Sequence, residues 1–198
     1  MKTLAATSLV ATLALTATSH AGALWNETNQ GDLSNNWLAP TVATLVASED
    51  GENILSGTTG DDGTGIDRDY ITVTIPAGAQ LTGIILQDYF SPDFNMFMGV
   101  VAGTTVVNPE EATDQSVLGY ALFGPSDLGN DLMEELAVPR YPGGGFIAPV
   151  GPGTYTFWIQ QTGEPTIYQM NFVVVPAPGV LLATTTFGLL AHRRTRRA

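Results

Sequence analysis

The stretch Tyr70-Ile71-Thr72-Val73-Thr74-Ile75, followed by Pro76-Ala77-Gly78-Ala79, decides how the rest of the chain is read. Successive side chains of an extended strand point to opposite faces. Ile71, Val73 and Ile75 therefore fall on one side, and Tyr70, Thr72 and Thr74 on the other. The residues are mostly β-branched, and Pro-Ala-Gly ends the run with turn chemistry. The same period of two recurs downstream. It covers residues 81–89 and 95–102, parted by a loop at Ser91-Pro92-Asp93, and residues 117–123, closed by Gly124-Pro125. Residues 154–161 and 167–175 read as a final hairpin. In the second of these, Tyr168, Met170, Phe172 and Val174 share a face opposite Gln169 and Asn171. Upstream, residues 42–46 and 53–56 read as shorter edge strands.

One segment departs from this pattern. Within residues 127–136, Leu128, Leu132, Met133 and Leu136 recur at helical spacing with Asp131, Glu134 and Glu135 outward, which predicts a short helix or helical turn. Pro139-Arg140-Tyr141-Pro142 and Gly143-Gly144-Gly145 follow as a loop; the glycine run lacks the Lys-Ser/Thr of a phosphate loop. Seven or eight short strands with Gly/Pro turns between residues 24 and 175 predict an all-β domain, a β-sandwich or jelly-roll-like fold with one short helical insertion. That length buries a core without disulfides.

The 198-residue chain has a formal net charge of −12, very unevenly placed. All 19 acidic residues lie between Glu27 and Glu164, where only Arg68 and Arg140 oppose them, so this middle part carries −17. A lysine-free segment this acidic repels phosphate backbones, which argues against a nucleic-acid partner. The absence of cysteine excludes disulfides, thiolate zinc sites and thiol catalysis. Both histidines, His20 and His192, fall in the terminal segments, so the middle lacks the usual general base at neutral pH.

Those terminal segments read as addresses. Lys2, an apolar stretch from Leu4 to Ala17, and the small-x-small sites ending at Ala21 and Ala23 have the order of a secretory signal peptide, expected over residues 1–23 and cut by signal peptidase. Cleavage after Ala23 fits slightly better than after Ala21. At the other end, Val175 leads into Pro176-Ala177-Pro178-Gly179, which breaks strand or helix. An uncharged apolar run over residues 180–191 follows, and then Arg193, Arg194, Arg196 and Arg197. The run is shorter than the roughly 20 residues that span a bilayer comfortably, although arginine snorkelling extends its reach. The arginine cluster is expected on the cytoplasmic side, leaving residues 24–175 outside as an ectodomain.

This layout of signal peptide, Pro-x-Pro, hydrophobic helix and arginine cluster resembles the PEP-CTERM sorting signal of exported bacterial proteins, here over residues 176–198. The resemblance implies handling by an exosortase-type processing enzyme, at least transient insertion of the C-terminal helix in the inner membrane, and association with exopolysaccharide-producing envelopes. The middle residue of the motif is Ala177 rather than glutamate, a VPAPG-type variant, which leaves open whether the tail is cut or kept as an anchor. The ectodomain in turn resembles, through short motifs, the bacterial pre-peptidase C-terminal domain, a β-sandwich attached to secreted enzymes. The matching residues are Asn26-Glu27-Thr28 with Gly31-Asp32, Gly51-Glu52-Asn53-Ile54-Leu55-Ser56-Gly57, Asp67-Arg68-Asp69-Tyr70, Pro76-Ala77-Gly78 with Leu81, Gly153-Thr154-Tyr155-Thr156-Phe157, and Tyr168.

Chemistry concentrates in Asp61-Asp62-Gly63-Thr64-Gly65-Ile66-Asp67-Arg68-Asp69. Hard carboxylate oxygens in a glycine-rich loop suit Ca²⁺, so Asp61, Asp62, Asp67 and Asp69 are the candidate ligands, although the spacing is not that of an EF-hand. The family resemblance points to Asp67 and Asp69 in particular. Catalysis would have to rest on facing carboxylates, which Glu134 and Glu135, Asp88 and Asp93, or Glu110 and Glu111 do not announce. Aromatic side chains offer a second reading, a carbohydrate-binding module for exopolysaccharide with Tyr141 and Trp158 as contacts. The expectation is an exported, non-enzymatic cell-envelope or extracellular-matrix protein with no cofactor beyond a candidate Ca²⁺. A carboxylate hydrolase ranks last.

Overall fold

The alternating segments fold as strands, and the chain is all-β. The computed structural model describes residues 22–106, 117–140 and 144–178. Among them lie β1 (Ala23–Asn26), α1 (Glu27–Gln30), β2 (Thr41–Thr44), β3 (Ile54–Asp61), β4 (Ile66–Ile75), β5 (Ala79–Phe90), β6 (Met96–Ala102), β7 (Val117–Phe123), α2 (Met133–Ala137), β8 (Gly153–Gln160) and β9 (Thr166–Pro176). The strands join in the order β5-β9-β3-β4-β8-β6-β7, with β1 added to β3 and β2 to β4 as parallel partners. The remaining pairings are antiparallel.

One contact gives the sheet its shape. β3 and β4 pair only at their hairpin end, Gly60 opposite Asp67 and Asp61 opposite Ile66. Beyond that corner β3 pairs with β9, and β4 pairs with β8 and β2. The sheet thus curls into two arms, β1-β3-β9-β5 and β2-β4-β8-β6-β7. Their inner faces share one core, in which Phe157 of β8 meets Phe172 of β9 edge to face at 5.0 Å between ring centres. Tyr168, Met170, Phe172 and Val174 are all fully buried on the inner face of β9, as their alternation predicts. Burying each such side chain contributes roughly 1.5–3 kcal/mol. In β5 the pairing register shifts between Leu81 and Gly83 and again between Leu86 and Asp88. These bulges let Leu81, Ile84, Leu86 and Tyr89 all reach the core although strict alternation would not.

Several expectations are corrected. Strands β8 and β9 do not form a hairpin: β8 pairs with β4 and β6, and β9 with β3 and β5. Their connection crosses from one arm to the other, steadied by Gln161, whose Nε2 donates to Asn95 O at 2.6 Å and whose Oε1 accepts from Thr162 N at 2.7 Å. The segment at 53–56 begins a central strand rather than an edge, because β1 and β9 flank it. The expected helix over 127–136 is split. Pro125–Asp127 form a 3₁₀ turn, Gly129 adopts a φ of 83°, and only Met133–Ala137 are α-helical. Finally, β9 runs one residue past the expected boundary to Pro176, and Ala177 N donates to Gly78 O at 2.7 Å. Proline is tolerated there because a strand end loses little by lacking an N–H.

The expectations for Ala21, Tyr141, Gly179, the apolar segment 180–191, and Arg193, Arg194, Arg196 and Arg197 fall outside the described residues. Among the described residues no helix is long and apolar enough to cross a membrane.

Candidate metal centre

The corner between the arms gathers carboxylates. Glu27 opens the single turn of α1 directly after β1, and Asp32 follows Gly31. Asp69 lies on β4, four positions past the loop that links β3 to β4. Oxygen atoms of Glu27, Asp32 and Asp69 all lie within 4.8 Å of one another.

Packing explains why Asp69 sits there. It occupies an inward position of β4, is 0% exposed, and pairs across the ladder with the core residue Ile159. Tyr168 on β9 donates its hydroxyl to Asp69 Oδ2 at 2.7 Å. The ring reaches across β3 only because its ladder partner there is Gly57: a Cβ at that position would lie 2.6 Å from the Tyr168 hydroxyl oxygen. Asp69 Oδ1, equally buried, has no hydrogen-bond partner among the described residues. Neither does the buried Oδ1 of Asn26, the residue before Glu27. Glu27 is held from two sides, accepting from Leu33 N at 3.1 Å and from Thr58 N at 2.7 Å.

Buried acids without counter-charge resist ionisation. Burial pushes the Glu27 carboxyl up to about 7, against the lowering effect of the Leu33 and Thr58 amides, and Asp32 and Asp67 add repulsion. Asp69 is raised well above the ordinary aspartate range, first by burial and then by Glu27, while the Tyr168 hydrogen bond pulls the other way. Burial, then the charge of Asp69, in turn raises the Tyr168 hydroxyl well above its usual range. The ion pair seen among the described residues, Arg140 with Glu135 at 2.8 Å, belongs to another part of the fold.

The donor set fits a hard cation. Ca²⁺ holds oxygens at 2.3–2.6 Å, so ligands on one ion are separated by at most about 5 Å. The three carboxylates meet that limit, and Asp69 Oδ1 is left without a hydrogen-bond partner among the described residues. Residues 22–178 hold no histidine or cysteine, so softer metals would find no preferred donors.

Of the four ligands expected from sequence, the structure brings only Asp69 into this cluster. Asp67 stands beside it, half-buried, its carboxyl raised by burial and then by Asp32, with Oδ1 accepting from Asn35 Nδ2 at 2.7 Å. Asp61 and Asp62 are exposed and shape the hairpin loop instead. Asp61 Oδ1 accepts from Gly63 N at 2.8 Å; Asp62 Oδ1 accepts from the Thr64 hydroxyl at 2.6 Å and from Thr64 N at 2.8 Å. The Thr64 hydroxyl holds the Asp62 carboxyl below the usual range. Glu27 and Asp32 were not among the expected candidates because they precede Asp69 by more than thirty residues. Their one signal was the motif Asn26-Glu27-Thr28 with Gly31-Asp32.

The remaining candidates are placed as follows. Ala23 begins β1, and the carbonyl of Gly22 before it accepts from Ile54 N at 3.0 Å. Pro176 and Ala177 are tied to the sheet, and Pro178 is exposed. Trp158 is only 6% exposed, packed against Phe97 at 4.7 Å and Tyr70 at 6.2 Å, so it has no open ring face for a sugar. Comparison with protein-family models, curated proteins and solved structures finds no match for this chain.

Proposed function

We propose that the chain is an exported, non-enzymatic β-sandwich protein of the bacterial cell envelope or extracellular matrix, sorted through its PEP-CTERM-like tail and steadied by Ca²⁺ at Glu27, Asp32 and Asp69. The observation that carries the calcium reading is the fully buried Asp69, whose Oδ1 lacks a partner beside two further carboxylates. The sandwich reading is supported by the two arms meeting across one core. The export reading rests on the terminal segments: regular structure runs from Ala23 to Pro176, between the signal-peptide-like and sorting-like sequences. The carboxylates of the corner run from the buried Asp69 through the half-buried Glu27 to the exposed Asp32, an arrangement that supports holding a cation at the edge of the corner.

When bound, Ca²⁺ would supply the positive charge that lets Glu27 and Asp69 ionise beside Asp32. The chain's own groups do the positioning. The Leu33 and Thr58 amides orient Glu27, and the Tyr168 hydroxyl holds Asp69 Oδ2. The test is thermal unfolding of the full chain in Ca²⁺ and in EDTA. At a concentration one hundred times Kd, the ion should stabilise by about 2.7 kcal/mol, and Asp69→Asn should abolish the increment. An unaltered midpoint in the wild-type protein would remove the metal site. Mass spectrometry of the mature termini checks the sorting reading separately: a new C-terminus near Pro178 supports processing, and an intact arginine cluster in every molecule refutes it.

A further inference from the structure

Along β8 the inward face runs Ile159, Phe157, Tyr155. Ile159 lies opposite Asp69 at the carboxylate corner. Phe157 and Tyr155, toward the other end of the strand, line a cavity of about 180 Å³. Leu81 of β5, Leu118 of β7, and Met133 and Leu136 of α2 also wall it, so the space lies between the two arms. Ile147 and Val150, in the segment before β8, complete the lining.

Backbone contacts hold these walls in place. A Cβ at Gly119 of β7 would overlap the Leu136 carbonyl oxygen, so glycine lets α2 lie directly on the strand. Gly145 N donates to Leu118 O at 2.8 Å, and Phe146 N donates to Ala137 O at 3.2 Å, which ties the segment after α2 to both neighbours. On the far side Leu81 and Val150 exchange two backbone bonds, each of 2.9 Å. Closing the space by moving a wall inward would break some of these bonds, so it persists as a cavity rather than collapsing.

The chemistry of the lining is one-sided. Its only side-chain polar group is the Tyr155 hydroxyl, which donates to Gly151 O at 3.4 Å. A buried water needs two to four polar partners, which these side chains do not offer. Apolar cavities of about 150 Å³ stay dry and take up benzene. Ile147 is 90% exposed, a large aliphatic side chain left in water beside the cavity.

We propose that this cavity binds a small uncharged apolar molecule, about the size of a substituted benzene ring. The guest gains contact with the buried wall and covers part of Ile147, and the unbranched Met133 side chain adapts to its shape. A carboxylate or a sugar would shed its water there without finding partners. The proposal does not depend on the calcium reading.

The test titrates the full-length protein, carrying ¹³C-labelled methionine methyls, with toluene and with benzoate. Toluene should move the Met133 resonance along a saturable curve and leave that of Met96, at the far end of β6 from the cavity, in place. Benzoate should bind about tenfold more weakly or less. Leu118→Phe and Val150→Phe, checked for folding by near-ultraviolet circular dichroism, should each weaken toluene binding about tenfold by filling the space. No saturable shift with toluene, equal binding of benzoate, or full toluene binding by the folded variants would overturn the proposal. So would a Met133 shift that follows protein concentration instead of toluene, which would seat a second copy of the chain on Ile147.

Discussion

Arg68 and Asp69 are neighbours in β4 and serve opposite surfaces. Asp69 turns inward to Tyr168, Glu27 and Asp32, where burial raises the Glu27 and Asp69 carboxyls. Arg68 turns outward to Gln160, where burial is partial. Period-two alternation separates the two environments by a single residue. The inner face is closed and specified by packing, so changes there should register as stability. The outer face is half-exposed at Arg68 and Phe97, so changes there should cost less.

The largest test of that difference compares two phenylalanines. Phe172→Ala, which removes the edge-to-face contact with Phe157 between the arms, should cost about 3–5 kcal/mol in urea unfolding. Phe97→Ala, on the partly exposed outer face, should cost about 1–2 kcal/mol. Equal costs would show that the two faces are not energetically distinct.

A smaller and more local effect is expected at Gly57. A Cβ there would press on the Tyr168 hydroxyl, which has no free space to retreat into. Gly57→Ala should destabilise by about 1–3 kcal/mol and weaken the response to Ca²⁺ by moving Tyr168 off Asp69. A variant that melts and binds Ca²⁺ like the wild type would separate Tyr168 from the inner site.

The smallest effect is in pH. Glu27, pushed up to about 7 from 4.5, binds its proton more tightly in the folded than in the unfolded chain. Stability in EDTA should therefore be fully present below pH 4.5 and fall as pH rises toward 7, by about 1–2 kcal/mol after allowance for solvent screening. Asp69, also raised, acts with the same sign. Saturating Ca²⁺ should flatten the fall, because the ion favours the ionised carboxylates. Urea midpoints between pH 5 and 8 measure both curves; a flat profile in EDTA would break the electrostatic account of the inner site.

Much of the fold was legible because alternation is local. β4, β6, β7 and β9 fall close to where their patterns place them, and Tyr168, Met170, Phe172 and Val174 face inward as read. The β8–β9 connection was misread because a short loop between two strands looks the same whether they pair or part into different arms. In the candidate site, Asp69 was legible from its acidic neighbourhood. Asp61 and Asp62 were not separable from it, since loop-shaping and metal-facing aspartates have the same composition.

The sequence by itself determined the all-β class, the alternation of each strand and the concentration of acid between residues 27 and 164, because these depend on residue type and spacing alone. Only the tertiary structure decided which carboxylates meet and where the two arginines go. Glu27 and Asp69 come together because β1, β3 and β4 converge at one corner, with Gly57 leaving Tyr168 room to reach across. Such convergence depends on pairings between residues far apart in the chain, which no local pattern records.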